Sequence, residues 1–144
     1  MEPPVKQVQL SQDAKDRLIR LKGKTGIDSF NILCRWALCR SLSENSPPSP
    51  IPLKNDSNLV ISWETLAGET STMLIMIFRQ RLKDDGVDLE DSEAVALQFR
   101  LHLNRGIGYI AGDNRIKSIS DLMALATTGL PQSSPSDLKY REIL

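Results

Sequence analysis

The sequence predicts an all-α protein of about five helices, with a short extended arm or strand at its amino end. Two observations carry this expectation. Apolar residues recur at helical spacing through most of the chain, with serine or aspartate before several runs and glycine after them. Rough strand-like alternation occurs at Val5–Leu10, and Asn58–Trp63 is read as a short extended piece.

Val5-Lys6-Gln7-Val8-Gln9-Leu10 reads as an edge strand or arm. Ser11 then suits an N-cap, with Asp13 in the first turn where the helix dipole favours an anion. Ala14, Leu18 and Leu21 follow at i, i+4 and i+7, and Gly23 to Gly26 is expected to end this first helix. Asp28 or Ser29 opens a second helix to about Ser43. Phe30, Leu33, Cys34, Ala37 and Leu38 form one apolar stripe on it, and Ile32, Trp36 and Cys39 form another. A helix apolar on two sides needs cover on both, in a core or an oligomer interface. Phe30, Leu33, Trp36 and Ala37 are the candidate interface or core residues.

The connector 46–57 begins Ser46-Pro47-Pro48-Ser49-Pro50-Ile51-Pro52. It excludes helix, because proline lacks the N–H donor and restricts its predecessor. A stiff, poorly packed linker is expected there. A third helix spans about Glu69 to Asp84, a fourth starts at Asp91 or Ser92 and is expected to stop at a Gly106 cap, and a short fifth ends near Ala126. Residues 1–126 thus form one helical domain. The Ser-, Pro- and Gly-rich segment 127–144 is expected to be a disordered tail.

With 18 Lys/Arg against 18 Asp/Glu, the chain is neutral overall. Residues 1–45 carry eight basic against five acidic side chains, and residues 46–92 carry four against eight. The amino-terminal third is the part suited to an anionic partner. No secretory h-region is evident, and the apolar run Met73–Phe78 is far short of the ~20 residues that span a bilayer. No membrane partner and a cytoplasmic location are the expectation. Cys34 and Cys39 are five apart on one helix, so ~140° of rotation separates them and no disulfide or metal pair forms. Both read as small buried hydrophobes.

Arg17, Arg20 and Lys24 share one face of the first helix, which leads into Gly23-Lys24-Thr25-Gly26, with Lys22 alongside. Glycines let backbone approach a phosphate, lysine adds charge, and the Thr25 hydroxyl can donate. The plainer reading is a solvated helix end. Gly106-Ile107-Gly108-Tyr109-Ile110-Ala111-Gly112 lacks the G-x-G-x-x-G spacing and follows a helix rather than a strand, so it is no nucleotide loop. A tight interhelical connection is expected instead. His102, the single histidine, has no partner nominated for acid–base work. Asp84, Asp85, Asp88, Glu90 and Asp91 lack EF-hand spacing and read as a solvated turn. No catalytic residue, cofactor or metal is expected.

The order strand, helix, turn, helix over 5–43 matches a ribbon-helix-helix unit, in which two chains pair their strands; an ordinary helical hairpin with an arm fits equally. Groove reading would use Lys6, Gln7 and Gln9.

Gly23-Lys24-Thr25-Gly26-Ile27, Leu33-Cys34-Arg35-Trp36-Ala37-Leu38-Cys39 and the run Gln98-Phe99-Arg100-Leu101-His102-Leu103-Asn104-Arg105-Gly106-Ile107-Gly108-Tyr109 together resemble DndE, the small subunit of the bacterial DNA phosphorothioation system. The resemblance covers about Val5 to Ala126. It implies a helical homotetramer that prefers nicked double-stranded DNA and serves a complex replacing a non-bridging phosphate oxygen by sulfur. It places the sharp turn at Gly23–Gly26 and the DNA-binding lysines at Lys22 and Lys24. The sulfur chemistry would belong to other subunits. A non-catalytic DNA-binding subunit is therefore expected; the alternatives are an assembly adaptor of that complex or a ribbon-helix-helix transcriptional regulator.

Overall fold

The computed structural model describes residues 2–127, so the expected tail lies outside the described residues apart from Thr127. Strand β1 (Gln7–Gln9) is followed by helices α1 (Gln12–Thr25) and α2 (Phe30–Leu42), strand β2 (Val60–Ser62), and helix α3 (Trp63–Ala67). A 3-10 turn, Gly68–Thr70, leads into α4 (Ser71–Asp84), then α5 (Ser92–Gly112) and α6 (Ile119–Thr127). The helical class and the helix-helix order after β1 stand as the sequence predicts.

β1 finds its partner within the chain. It pairs antiparallel with β2, Val8 opposite Ile61. Bonds from Trp63 N–H to the Lys6 carbonyl (2.9 Å) and from Leu10 N–H to the Leu59 carbonyl (3.0 Å) extend the ladder. A strand from a second chain is therefore not what satisfies this edge. The connector that follows α2 makes the return possible, and it is anchored at both ends. The Ser46 carbonyl accepts from Arg81 and Arg105 (2.8 Å each), and the buried Ser57 hydroxyl donates to the Leu10 carbonyl (2.6 Å). The expectation of poor packing over Ser46–Pro52 fails at Ser46 while Ser49 to Pro52 are exposed: proline forbids helix but leaves carbonyls free to accept.

α3 is absent from the expected set. Ser62 caps it, accepting from Thr65 N–H (3.1 Å), and five residues are too few for a periodic pattern to show. Trp63 at its start is buried and meets Phe99 edge-on (5.6 Å), and Phe99 meets Phe78 in the same way (5.8 Å). These rings, with Leu18, Leu33, Leu66 and Leu82, lie in one contiguous core.

α5 is the central helix, and both α1 and α2 pack on it. It does not stop at Gly106. It runs on to Gly112, because Gly106 faces α2 rather than solvent: a Cβ there would stand 1.7 Å from the Ala37 carbonyl oxygen. Glycine here permits close helix approach, not termination. The expected interhelical connection over residues 106–112 is thus helix. Asp91 caps α5, accepting from Ala94 N–H (3.1 Å), which gives part of the acidic turn a structural role.

Candidate nucleic-acid interface

The end of α1 is built by Gly26, whose φ of 74° places it in the left-handed region. Its N–H donates to the Lys22 carbonyl (2.9 Å), closing the helix with a glycine cap. Gly23 lies inside the last turn, so the sharp bend belongs to Gly26 alone. Thr25 is buried. Its hydroxyl donates to the Leu21 carbonyl (2.7 Å) and accepts from Ile27 N–H (3.2 Å). That hydroxyl is committed to the turn, which corrects its expected role as a phosphate donor.

The four basic side chains divide into two pairs. Lys22 lies over the Phe30 ring, 3.6 Å from its centroid, and faces Asp28 at 3.9 Å. It fastens α1 to the start of α2. Arg17 pairs with Asp13 (3.2 Å), and its guanidinium rests where a Gly108 side chain would begin. Arg20 and Lys24 are exposed, and among the described residues neither has an ion pair or hydrogen bond. The helix therefore presents two uncommitted cations on the stretch that ends at the left-handed Gly26, with two more held close by. Gly108 is a contributor that the sequence pattern concealed: its signal was a second glycine two residues after Gly106, inside a helix.

The doubly apolar α2 is resolved into inner and outer faces. Leu33, Cys34, Ala37 and Leu38 are buried, whereas Phe30 and Trp36 are half-buried and Ile32 is exposed. Leu33 and Ala37 thus belong to the chain's own core. Burial pushes the Cys34 thiol up to about 12, so it stays protonated. Cys39 is exposed rather than buried, because its rotation on α2 carries it away from α5. It lines a cleft of about 490 Å³ with Trp36, Arg40 and Leu125.

His102 is fully buried. Its Nδ1 is 2.8 Å from the Ser41 hydroxyl, and that hydroxyl oxygen accepts from Arg105 Nε (2.8 Å). Burial first, then the positive charges of Arg105 and Arg81, lower its pKa to about 4. The imidazole is thus held neutral inside the fold. It is a packing and hydrogen-bonding group that joins α5 to the end of α2.

A family model described as DNA sulphur modification protein DndE matches residues 7–118. Among solved structures, DndE from Escherichia coli B7A, involved in DNA phosphorothioation modification, is 28% identical, with a TM-score of 0.60; the match covers 73% of this chain and 95% of that one. A DndE mutant with lysine in place of two glycines, also involved in DNA phosphorothioation, is 24% identical with a TM-score of 0.57 over 76% of this chain and 99% of its own. No curated protein matches.

Proposed function

The chain belongs to the DndE family of DNA sulphur modification proteins, and on that premise we propose that it is a non-catalytic, DNA-binding subunit of the phosphorothioation complex, working as a homotetramer with a preference for nicked duplex. The observation that carries this reading is the pair Arg20 and Lys24, exposed and uncommitted beside the left-handed Gly26. Cations without internal partners are free to displace counterions from phosphates, and the resulting affinity is independent of sequence and weakened by salt. A nick removes stacking continuity and makes bending cheap, so a protein gripping phosphates on both sides of it gains without reading bases. Four copies of the turn in one tetramer would add weak contacts by multivalency.

The test is binding of nicked and intact duplexes across a salt series. Arg20→Ala/Lys24→Ala should weaken both by a similar factor and flatten the salt dependence by about two phosphate contacts. A correctly assembled double variant that binds nicked duplex as tightly as the unaltered protein would overturn the site.

The adaptor reading has its own observation. Met73, Met76 and Ile77 lie exposed at i, i+3 and i+4 on α4, an apolar stripe suited to protein contact. The two readings are compatible, since the stripe and the α1 turn are on different elements.

A further inference from the structure

We propose that the cleft between β1, the start of α1 and α5 holds one unstacked nucleotide of a DNA strand next to a break. This rests on the DNA-binding reading above and adds to it a second contact, at the other end of α1. The cleft has a volume of about 430 Å³, a size that suits a small-molecule unit such as a nucleotide. Gln7, Gln9, Lys54, Asn55, Arg100 and Asn104 supply its polar wall, the Gln9 amide donating to the Ser57 carbonyl (2.8 Å), and among the described residues no carboxylate lines it.

Each part of a nucleotide has a counterpart there. Lys54 and Arg100 are exposed, and among the described residues neither has an ion pair or hydrogen bond, so both are available to a phosphate. Asp56, two residues beyond Lys54, accepts from the Gln12 backbone N–H (2.9 Å), and the Lys54 charge acts on it without forming an ion pair. The ladder with β2 uses the Lys6 carbonyl and the Leu10 N–H. By alternation, Gln7 and Gln9 turn their backbone N–H and C=O groups to the opposite edge, where no strand among the described residues pairs with them. Those groups, with the Asn55 and Asn104 amides, match the mixed donors and acceptors of a base edge.

Placement links the cleft to the α1 turn. Arg100, Asn104 and Gly108 follow one face of α5 at i, i+4 and i+8, and Arg17 of α1 rests on Gly108. The seam between the two helices therefore runs from the cleft toward Arg20, with Arg17 on it held by Asp13 (3.2 Å). α1 has 14 residues, so its two ends are ~20 Å apart at ~1.5 Å per residue. That distance is about six base steps along a strand, at ~3.4 Å per step. A base inside a duplex enters the cleft only at the cost of unstacking on both sides. At a break one stacking neighbour is no longer covalently joined, so the terminal nucleotide leaves the stack more readily.

The experiment compares two nicked duplexes by fluorescence anisotropy over a salt series. One is fully paired, and the other carries a mismatch at the nick so that the end nucleotide frays. The unaltered protein should bind the frayed nick several-fold more tightly. Lys54→Ala/Arg100→Ala should lose that advantage and about two contacts of salt dependence, with its assembled mass unchanged. Arg20→Ala/Lys24→Ala should weaken both duplexes and keep their ratio. Equal binding of the two nicks by the unaltered protein, or an advantage that survives Lys54→Ala/Arg100→Ala, would overturn the cleft alone. A drop in assembled mass for that variant would also overturn it, by showing that the strand edge meets another polypeptide. Failure of the unaltered protein to bind any duplex would instead overturn the DNA-binding reading itself.

Discussion

Two residues, His102 and Gly26, show how single side chains set measurable properties. His102 is neutral in the fold because burial and the nearby Arg105 and Arg81 lower its pKa from 6.5 to about 4, against a weaker opposing pull from Asp85. A group whose folded pKa is depressed takes up protons more readily when unfolded. Stability should therefore be complete above about pH 6.5 and decline as the pH falls toward 4, by up to ~3 kcal/mol in total. His102→Gln keeps an acceptor for Ser41 but removes the titration, so urea midpoints measured at pH 7 and pH 5 should differ less than in the unaltered protein. An equal difference would assign the acid sensitivity elsewhere. Gly26 meets no atom within 4 Å of where a Cβ would stand, so its substitution costs only backbone strain. Gly26→Ala should lower stability by about 1 kcal/mol, with Gly26→Asn closer to neutral, as read from thermal or denaturant unfolding.

At the scale of elements, the two glycines of α5 behave oppositely because of what each faces. Gly106 opposes the backbone of Ala37, which cannot move without shifting α2, so Gly106→Ala should cost about 3 kcal/mol or more. Gly108 opposes only the end of the Arg17 side chain, 2.9 Å from an added Cβ. That flexible group can swing away, and Gly108→Ala should change stability by less than about 1 kcal/mol, since it also gains helix propensity. Comparable losses for both would mean that α2 and α5 are farther apart than described. The same pair shows where sequence reading stops. Ala14, Leu18 and Leu21 announced α1 because periodicity is local. Gly106 reads as a helix stop in sequence because the reason for a glycine there is a carbonyl on α2, which no local pattern reveals. The β1–β2 pairing was hidden likewise: both segments read as extended, but Val8 and Ile61 are remote in sequence and no local pattern joins them. The basic helix end was legible at Arg17, Arg20, Lys22 and Lys24. Which of them are committed was not, since that depends on Phe30, Asp28 and Gly108 lying close in space.

For the whole molecule, the chain's own core accounts for the inner face of α2 and for half of α4. Leu74, Ile75, Phe78 and Leu82 are buried, while Met73 and Met76 remain 55% and 56% exposed. Long unbranched methionines adapt to a partner surface, and their removal from water is the largest unused hydrophobic gain on α4. The proposed tetramer is the economical way to realise it. Because these side chains add little to the chain's own core, Met73→Glu/Met76→Glu should leave the protomer folded by circular dichroism. Light scattering should then report a smaller mass than for the unaltered protein, because a carboxylate buried without a partner opposes association. If DNA affinity depends on several α1 turns acting together, the dissociated variant should also bind nicked duplex more weakly, although Arg20 and Lys24 are intact. A monomeric mass for the unaltered protein would remove the basis for multivalent binding. An unchanged oligomer in the variant would leave α4 free for another subunit and move the self-contact to a different face.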